Sequence, residues 1–425
     1  MAGEMIYGNG TTTATTGANT TTHHYDRAGV KAATADLIYS AFADSKSMPQ
    51  KYGKTFKISM FQQILDGAGV LDKGLDASGN PTYGNLYGSS RDLGDITAGL
   101  PVLGEGASEV NRVVVTKKTG EVTFNRFGLH LAYTDEIDLF SEDRTQMIYR
   151  EMLGDAAAQV NEDLIQRDML SGTNVFYVGS ATSRITVGAD TTDVAGADDA
   201  DSLISYDDTR KIVATLVSNR AKKFTSIITG STKIDTKTIN ASYVGIIGPE
   251  VKFDLQGVAD TFSRPAWIPV NQYGSAATLM PHEVGAINEL RFVETERAQK
   301  FVAKGAVVPT SYTGTLANGT VAATGGGYTA GQVRFNVYPI LCPTQGAFAT
   351  VGLQGWGKMK FNAKAPGQVS DTDKYGTRGF FSVNWFYAGI ILDESKLLRV
   401  ETAATDIGIG AYGSGGINTN GPKTM

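Results

Sequence analysis

Residues 141–172 read SEDRTQMIYREMLGDAAAQVNEDLIQRDMLSG, and their pattern predicts one uninterrupted helix over 141–171. At 1.5 Å per residue such a helix is about 45 Å long, far beyond the roughly 11–12 residue mean of globular helices. Ser141 is the candidate N-cap, and Glu142 and Asp143 place negative charge in the first turn, where the helix dipole favours it. Gly172 offers a left-handed stop. Tyr149, Leu153, Ala156, Val160 and Leu164 recur at steps of three and four and form the candidate core stripe. Glu151, Asp155, Gln159, Glu162 and Gln166 fall largely off it. The one internal glycine, Gly154, costs about 1 kcal/mol against alanine. The stretch reads as a spine around which other elements pack, although a long core helix of an enzyme has the same pattern.

Outward from the spine, the totals narrow the class. A chain of 425 residues suggests two or three domains. A net charge of −5 argues against a general binder of nucleic acid or anionic membrane. Cys342 is the sole cysteine, so no internal disulfide or cysteine-based zinc site forms. The first residues lack the charged and apolar regions of a signal peptide. The most apolar run, Phe386–Leu392, suits a buried strand, so no membrane span is expected. Fifty glycines against 12 prolines imply long loops and extended arms.

Before the spine, residues 1–25 are a Thr/Gly/Asn tract expected to be an extended or disordered arm. Residues 27–43 follow as a short amphipathic helix with Val30, Leu37, Ile38 and Phe42. Lys54–Phe61 alternates Phe56, Ile58 and Met60 as a strand, and residues 66–108 are too long for an ordinary connection. Arg112–Lys118 and Glu121–Phe127 around Thr119-Gly120 read as a hairpin, continued by Leu129, Leu131 and Tyr133. After the spine come a strand at 174–178, a solvated loop at 190–201 and a helix at 206–224 with Ile212, Leu216 and Val217 inward. Alternating short elements follow: a buried strand at 243–247, a helix at 250–258 and a strand at 291–295. The Gly-rich stretch 305–331 is an exposed loop or β-insert, and strands from 333 to 401 close the chain. The class is α+β.

Motifs of chemistry are weak. His23 and His24 are adjacent and point apart, His130 sits in a strand pattern, and His282 in a turn. Gly352–Lys358 matches a phosphate loop until Met359 replaces Ser or Thr, and no helix pattern follows. Leu103–Glu109 lacks the third glycine of a dinucleotide fingerprint, and Asp198, Asp199 and Asp201 lack the glycine and glutamate of a calcium loop. No catalytic residue, metal site or cofactor is assigned. Arg112, Lys117, Lys118, Glu121 and Arg126 on the hairpin are candidate inter-subunit contacts. Exposed charge is usually just solvated. In an assembling protein such charge also sets the register of a docked arm.

Four stretches add a resemblance: Leu103–Gly106 (LGEG), Tyr243–Leu255 (YVGIIGPEVKFDL), His282–Thr295 (HEVGAINELRFVET), and Val351–Gly355 (VGLQG) with Lys364–Gly367 (KAPG). Together with the element order, over about residues 25–405, the chain resembles the major capsid proteins of tailed phages of the Hong Kong 97 type, and specifically those of N-four-like podoviruses. The resemblance implies an N-terminal arm and surface segment at 1–103 and an extended-loop hairpin at 104–133. A peripheral domain would span 134–204 and an axial domain 205–350 with its insert at 305–331. A return to the peripheral domain at 351–405 and a tail at 406–425 complete it. It further implies a structural role: hexamers and pentamers of an icosahedral virion head around double-stranded DNA contacted weakly. Expected partners are a separate scaffolding protein, a portal and a decoration protein, with no membrane. An encapsulin-like compartment is the alternative on the same fold.

Overall fold

The computed structural model describes residues 37–61, 93–94, 105, 117–140, 145–189, 202–228, 237–274, 279–310, 312, 314–355, 359–369 and 373–407. Ser141, Glu142, Asp143, Arg112, His23, His24, the 190–201 loop and nearly all of 66–108 lie outside them. The chain divides into two compact units, and the boundaries at 129/130, 155/156, 361/362 and 382/383 fall inside continuous helices and strands.

The described elements run β1 (Asp44–Met48), β2 (Thr55–Phe61), β3 (Lys117–Thr123), β4 (Asn125–Thr134), α1 (Asp135–Phe140), α2 (Thr145–Met169) and β5 (Val175–Tyr177). Then come α3 (Tyr206–Ser218), β6 (Tyr243–Ile247), α4 (Pro249–Gln256), β7 (Ile268–Pro269), β8 (Glu283–Ile287) and β9 (Leu290–Glu294). The last are β10 (Asn318–Thr320), β11 (Val333–Phe335), β12 (Tyr338–Pro343), β13 (Phe348–Leu353), β14 (Lys360–Lys364), β15 (Arg378–Ile391) and β16 (Leu397–Thr402).

The larger unit comprises the described parts of Ala35–Leu129, Ala156–Phe361 and Val383–Met425. It holds a seven-stranded sheet in the order β5-β16-β12-β6-β9-β8-β7. Every residue of β6, β12 and β16 is buried; β6 and β12 read as apolar runs rather than alternating ones, whereas β16 carries Arg399, Glu401 and Thr402 into the interior. Gly245 leaves room for its neighbour on β9: a Cβ there would meet the Phe292 ring at 3.1 Å. Pro249 stops β6 and opens α4, where its missing N–H does no harm. Ser205 caps α3, accepting from the Asp208 N–H (3.2 Å) while the Asp208 carboxylate accepts from the Ser205 N–H (3.1 Å). Ile212 and Leu216 are buried, but Val217 is 55% exposed. It stands 100° round from Leu216 and faces solvent, contrary to the sequence reading. The helix also stops earlier than read, at Ser218, because Arg220 turns left-handed (φ 55°) and carries the chain away.

One buried ionic group joins distant parts of this unit. Glu401, with no exposed side-chain surface, accepts from Arg184 Nε (2.8 Å) and Nη2 (2.5 Å) and stands 2.8 Å from Arg399 Nε. Its hydrogen bond raises the Arg184 pKa, whereas burial lowers that of Arg399. Arg399 also donates to the carbonyls of Leu170 and Gly172 (3.0 Å to Gly172) just past α2. Gly172 does not take the left-handed conformation expected of it. The guanidinium satisfies the helix-end carbonyls instead.

A second core of Met48, Phe124, Ala349, Val351, Ala388 and Ile390 lies between β1, β13 and the later part of β15. β1 pairs with β13 in parallel, and β13 with β15 antiparallel. The hairpin turn expected at Thr119-Gly120 is absent. Both residues lie inside β3, which pairs antiparallel with β2 from Thr55↔Thr123 to Phe61↔Lys117. Thr-Gly is a poor two-residue turn compared with Asn-Gly. Gly120 has another use: a Cβ there would meet Ile390 Cδ1 at 3.2 Å, so the glycine admits close packing.

The helix expected at 27–43 is described only from residue 37, where Tyr39–Phe42 form a 3-10 turn and Leu37 is 46% exposed. Glu162 and Gln166, placed off the core stripe by the sequence, are 3% and 1% exposed because this turn covers them.

The smaller unit contains the described parts of His130–Asp155 and Asn362–Ser382. Tyr133 is its centre, stacked on Phe381 at 5.4 Å and 6.4 Å from Tyr149. Gly379 lies under the Tyr133 ring, where a Cβ would stand 2.5 Å from Cζ. The Asp373 carboxylate accepts from the N–H groups of Arg378 (2.9 Å) and Thr377 (3.1 Å), which lowers its pKa.

Candidate inter-subunit surfaces

Groups capable of chemistry do not converge among the described residues. No set of three His, Cys, Asp or Glu there comes within reach of one metal ion. His130 is exposed on β4, and His282 occupies a turn at φ 59°. Cys342 is buried in β12, and burial pushes its thiol up to about 12. The phosphate-loop match turns at Gly355 (φ 79°), and the next described element is strand β14 rather than a helix. No described helix is long and apolar enough to cross a membrane.

Surfaces are more telling. The β2–β3 pair and its flanks carry more cations than anions: Lys57, Lys117 and Lys118 against Glu121 within the two strands, and Lys46, Lys51, Lys54 and Arg126 against Asp44 in the residues beside them. Lys57 and Glu121 sit opposite each other and form an ion pair of 2.5 Å with both side chains more than half exposed. Such a pair contributes about 0–1 kcal/mol. Lys117 is exposed, and the backbone of Lys118 stands opposite Met60. Arg126 lies 5.8 Å from the Phe386 ring centre. The structure therefore gathers Lys117, Lys118, Glu121 and Arg126 onto one strand and its continuation. Arg112 is outside the described residues.

Of the proposed spine core, Leu153 and Leu164 are buried, while Tyr149, Ala156 and Val160 are half-buried. Ala157, Ile165 and Met169 are buried as well, widening the stripe. Their spacing of eight and four residues was present in the sequence. In the smaller unit, the opposite face of the α2 start is apolar too: Met147, Ile148 and Met152 are 60%, 42% and 58% exposed. Leu139 (74%) and Phe140 (84%) end α1 equally uncovered. These exposed apolar residues are candidate contacts. The sequence reading traced one stripe and missed this second one, although Ile148 and Met152 are four apart.

No family model matches the chain. The major capsid protein of Pseudomonas phage KPP21 is 30% identical over 397 residues, which cover 91% of this chain and 94% of that protein. Among solved structures, the capsid of Ralstonia phage GP4 superposes with a TM-score of 0.56 at 11% identity, covering 93% of this chain and 99% of that one. The capsid structure of Cyanophage P-SCSP1u gives a TM-score of 0.50 at 10% identity, covering 92% and 96%. These likenesses give the fold, the α+β capsid architecture of the Hong Kong 97 type. With a relative 30% identical and matched over nearly its whole length, the chain belongs to the family of phage major capsid proteins.

Proposed function

We propose that the chain is the repeating subunit of an icosahedral head shell that encloses double-stranded DNA. The near full-length match to a phage major capsid protein carries this reading. Hexamers and pentamers of the chain form the shell, and the virion head is its location. The net charge of −5 suits a wall that contacts DNA weakly, since cation-rich surfaces hold phosphate tightly. A scaffolding protein, a portal and a decoration protein are the further partners. Residues 205–350 form the axial domain, and the spine with residues 351–405 belongs to the peripheral one. The β2–β3 pair is the root of the extended loop, with residues 62–116 between its strands.

In this reading the basic strands and the apolar face around Phe140 are contacts between copies. Electron microscopy of the purified protein tests it. Closed shells or sheets of hexamer-like units are expected, and a homogeneous monomer under all conditions would overturn it. Nucleic acid inside shells assembled with the other phage components separates a head from a protein compartment.

Two sets of variants test the contacts. Reversing Lys117, Lys118 and Arg126 to glutamate is expected to abolish shells while leaving the circular dichroism of the subunit unchanged. Shells at native yield would refute the role of these charges. Leu139→Ser with Phe140→Ser is expected to shift subunit stability by no more than about 1 kcal/mol, because both residues are exposed. Assembly should nevertheless fail, and a double variant that assembles normally would leave the apolar face without this role.

A further inference from the structure

Arginine is almost never buried without a charge partner beside it. Three arginines are buried among the described residues: Arg291, Arg334 and Arg399. Two of them follow the rule. Arg291 Nε stands 2.8 Å from Glu283, and Arg399 Nε stands 2.8 Å from Glu401. Arg334, on β11 and 6% exposed, has no carboxylate partner among the described residues. Neutral oxygens hold it instead: Nε donates to Gln332 Oε1 at 2.9 Å, and Nη1 donates to the Gly305 carbonyl at 2.8 Å. Nη2 makes no hydrogen bond among the described residues. Dipoles of this kind solvate a cation without neutralising it, and an uncompensated charge in the interior is costly.

A second cation stands beside the first, and a tyrosine gathers both. Tyr328 closes an exposed glycine turn, in which the Gly325 and Tyr328 backbones bond to each other at 3.0 and 3.1 Å. Its hydroxyl donates to the Lys304 carbonyl at 3.2 Å. Lys304 Nζ lies 3.9 Å from the centre of the Tyr328 ring, and the Arg334 guanidinium carbon lies 5.1 Å from it. Lys304 is half-buried, and it too has no carboxylate partner among the described residues. Cation–π contact returns only part of the cost of taking an ion out of water. Tyr328 also stands close enough to Arg184 to favour its charge. The group of Arg184, Arg399 and Glu401 itself carries one more cation than anion. The potential around the tyrosine is therefore positive.

We propose that Lys304, Tyr328 and Arg334 form a binding site for a phosphate dianion, either free or as the end group of a nucleotide. A carboxylate would neutralise one of the two cations, whereas a phosphate dianion matches both. Its acceptor oxygens suit the lysine ammonium and the Arg334 Nη2, which makes no other bond. The exposed glycines 325–327 leave the approach to the tyrosine open to solvent. Occupancy stabilises the folded chain by mass action and ties the β10–β11 hairpin to the segment at Lys304. The site lies within one subunit and does not depend on the shell.

Isothermal titration calorimetry of the full-length protein with inorganic phosphate, at neutral pH and low ionic strength, tests it. One phosphate per chain is expected, bound at least ten-fold more tightly than acetate, a monoanion. At about pH 5, below the second ionisation of a phosphate ester, the affinity should fall several-fold. Lys304→Gln removes the half-buried cation and should weaken phosphate binding at least ten-fold, while Lys304→Arg keeps the charge and should restore most of it. Arg334→Gln should abolish binding, and the two lysine variants decide the matter if it fails to fold. Adenosine monophosphate separates the sources. Tighter binding than inorganic phosphate identifies a nucleotide end group, and equal or weaker binding identifies free phosphate. Absence of saturable binding, equal affinity for acetate, or native affinity in Lys304→Gln would overturn the site. So would a short DNA duplex that displaces phosphate at lower concentration than either small ligand, because its diesters are monoanions.

Discussion

Glu401→Ala is expected to lower the stability of the larger unit by about 3–5 kcal/mol, the range for removing one partner of a buried ion pair. The carboxylate has no solvent contact and meets two guanidiniums, with Arg184 on both oxygens and Arg399 at 2.8 Å. Taking it away leaves two cations facing each other in an interior they entered only with compensation. Arg184 retains the Phe301 ring at 3.7 Å, and Arg399 retains the carbonyls after α2, but neither contact cancels a charge. Glu401→Gln keeps an acceptor and should lose less, about 1.5–3 kcal/mol, the usual worth of a charge-assisted bond. Urea unfolding followed by tryptophan fluorescence measures both. Glu121→Ala, which breaks the exposed pair with Lys57, is the matched control and should shift the midpoint little. A Glu401→Ala midpoint as close to native as the control would show that the arginines find other partners.

Leu153→Asp is expected to prevent the smaller unit from folding. Leu153 is 6% exposed on α2, so aspartate there buries a carboxylate that has no built partner. The penalty of several kcal/mol exceeds what a small unit can absorb. Limited trypsin digestion provides the readout, since Lys374 and Arg378 lie in this unit. Rapid cleavage at both is expected in the variant and slow cleavage in the native protein. Leu153→Met, which conserves volume, should cost less than about 1.5 kcal/mol and remain resistant. A Leu153→Asp protein that melts cooperatively with native resistance would contradict the burial of this face.

The two kinds of residue differ in how visible they were beforehand. Leu153 and Leu164 stand out through the helical period, and the buried runs of β6 and β12 through unbroken apolar composition. Both signals are local, since a side chain's place on a helix or strand follows from its position along the chain. Val217 shows the limit of that signal: an apolar residue next to a core position belongs to the core only if packing brings something to its side.

Glu401, Glu162 and Gln166 were unreadable for a different reason. Polar residues are mostly exposed, and each of these is buried only because a distant segment arrives with donors or acceptors. The contact between Ser40 and Glu162 spans 122 residues, and that between Arg184 and Glu401 spans 217. The β2–β3 pairing is of the same kind. Thr119-Gly120 offered a nearby turn, yet the strand at 55–61 matched β3 along seven residue pairs and Gly120 was needed against Ile390.

By itself, then, the sequence determined the long helix, the buried strands and, through short stretches such as 243–255 and 282–295, the family resemblance. Only the tertiary structure decided which strand partners Lys117–Thr123, which charges are buried, and that the start of the long helix is apolar on a second, uncovered side. Periodicity is written in neighbouring residues, whereas pairing and burial depend on what the rest of the chain brings alongside.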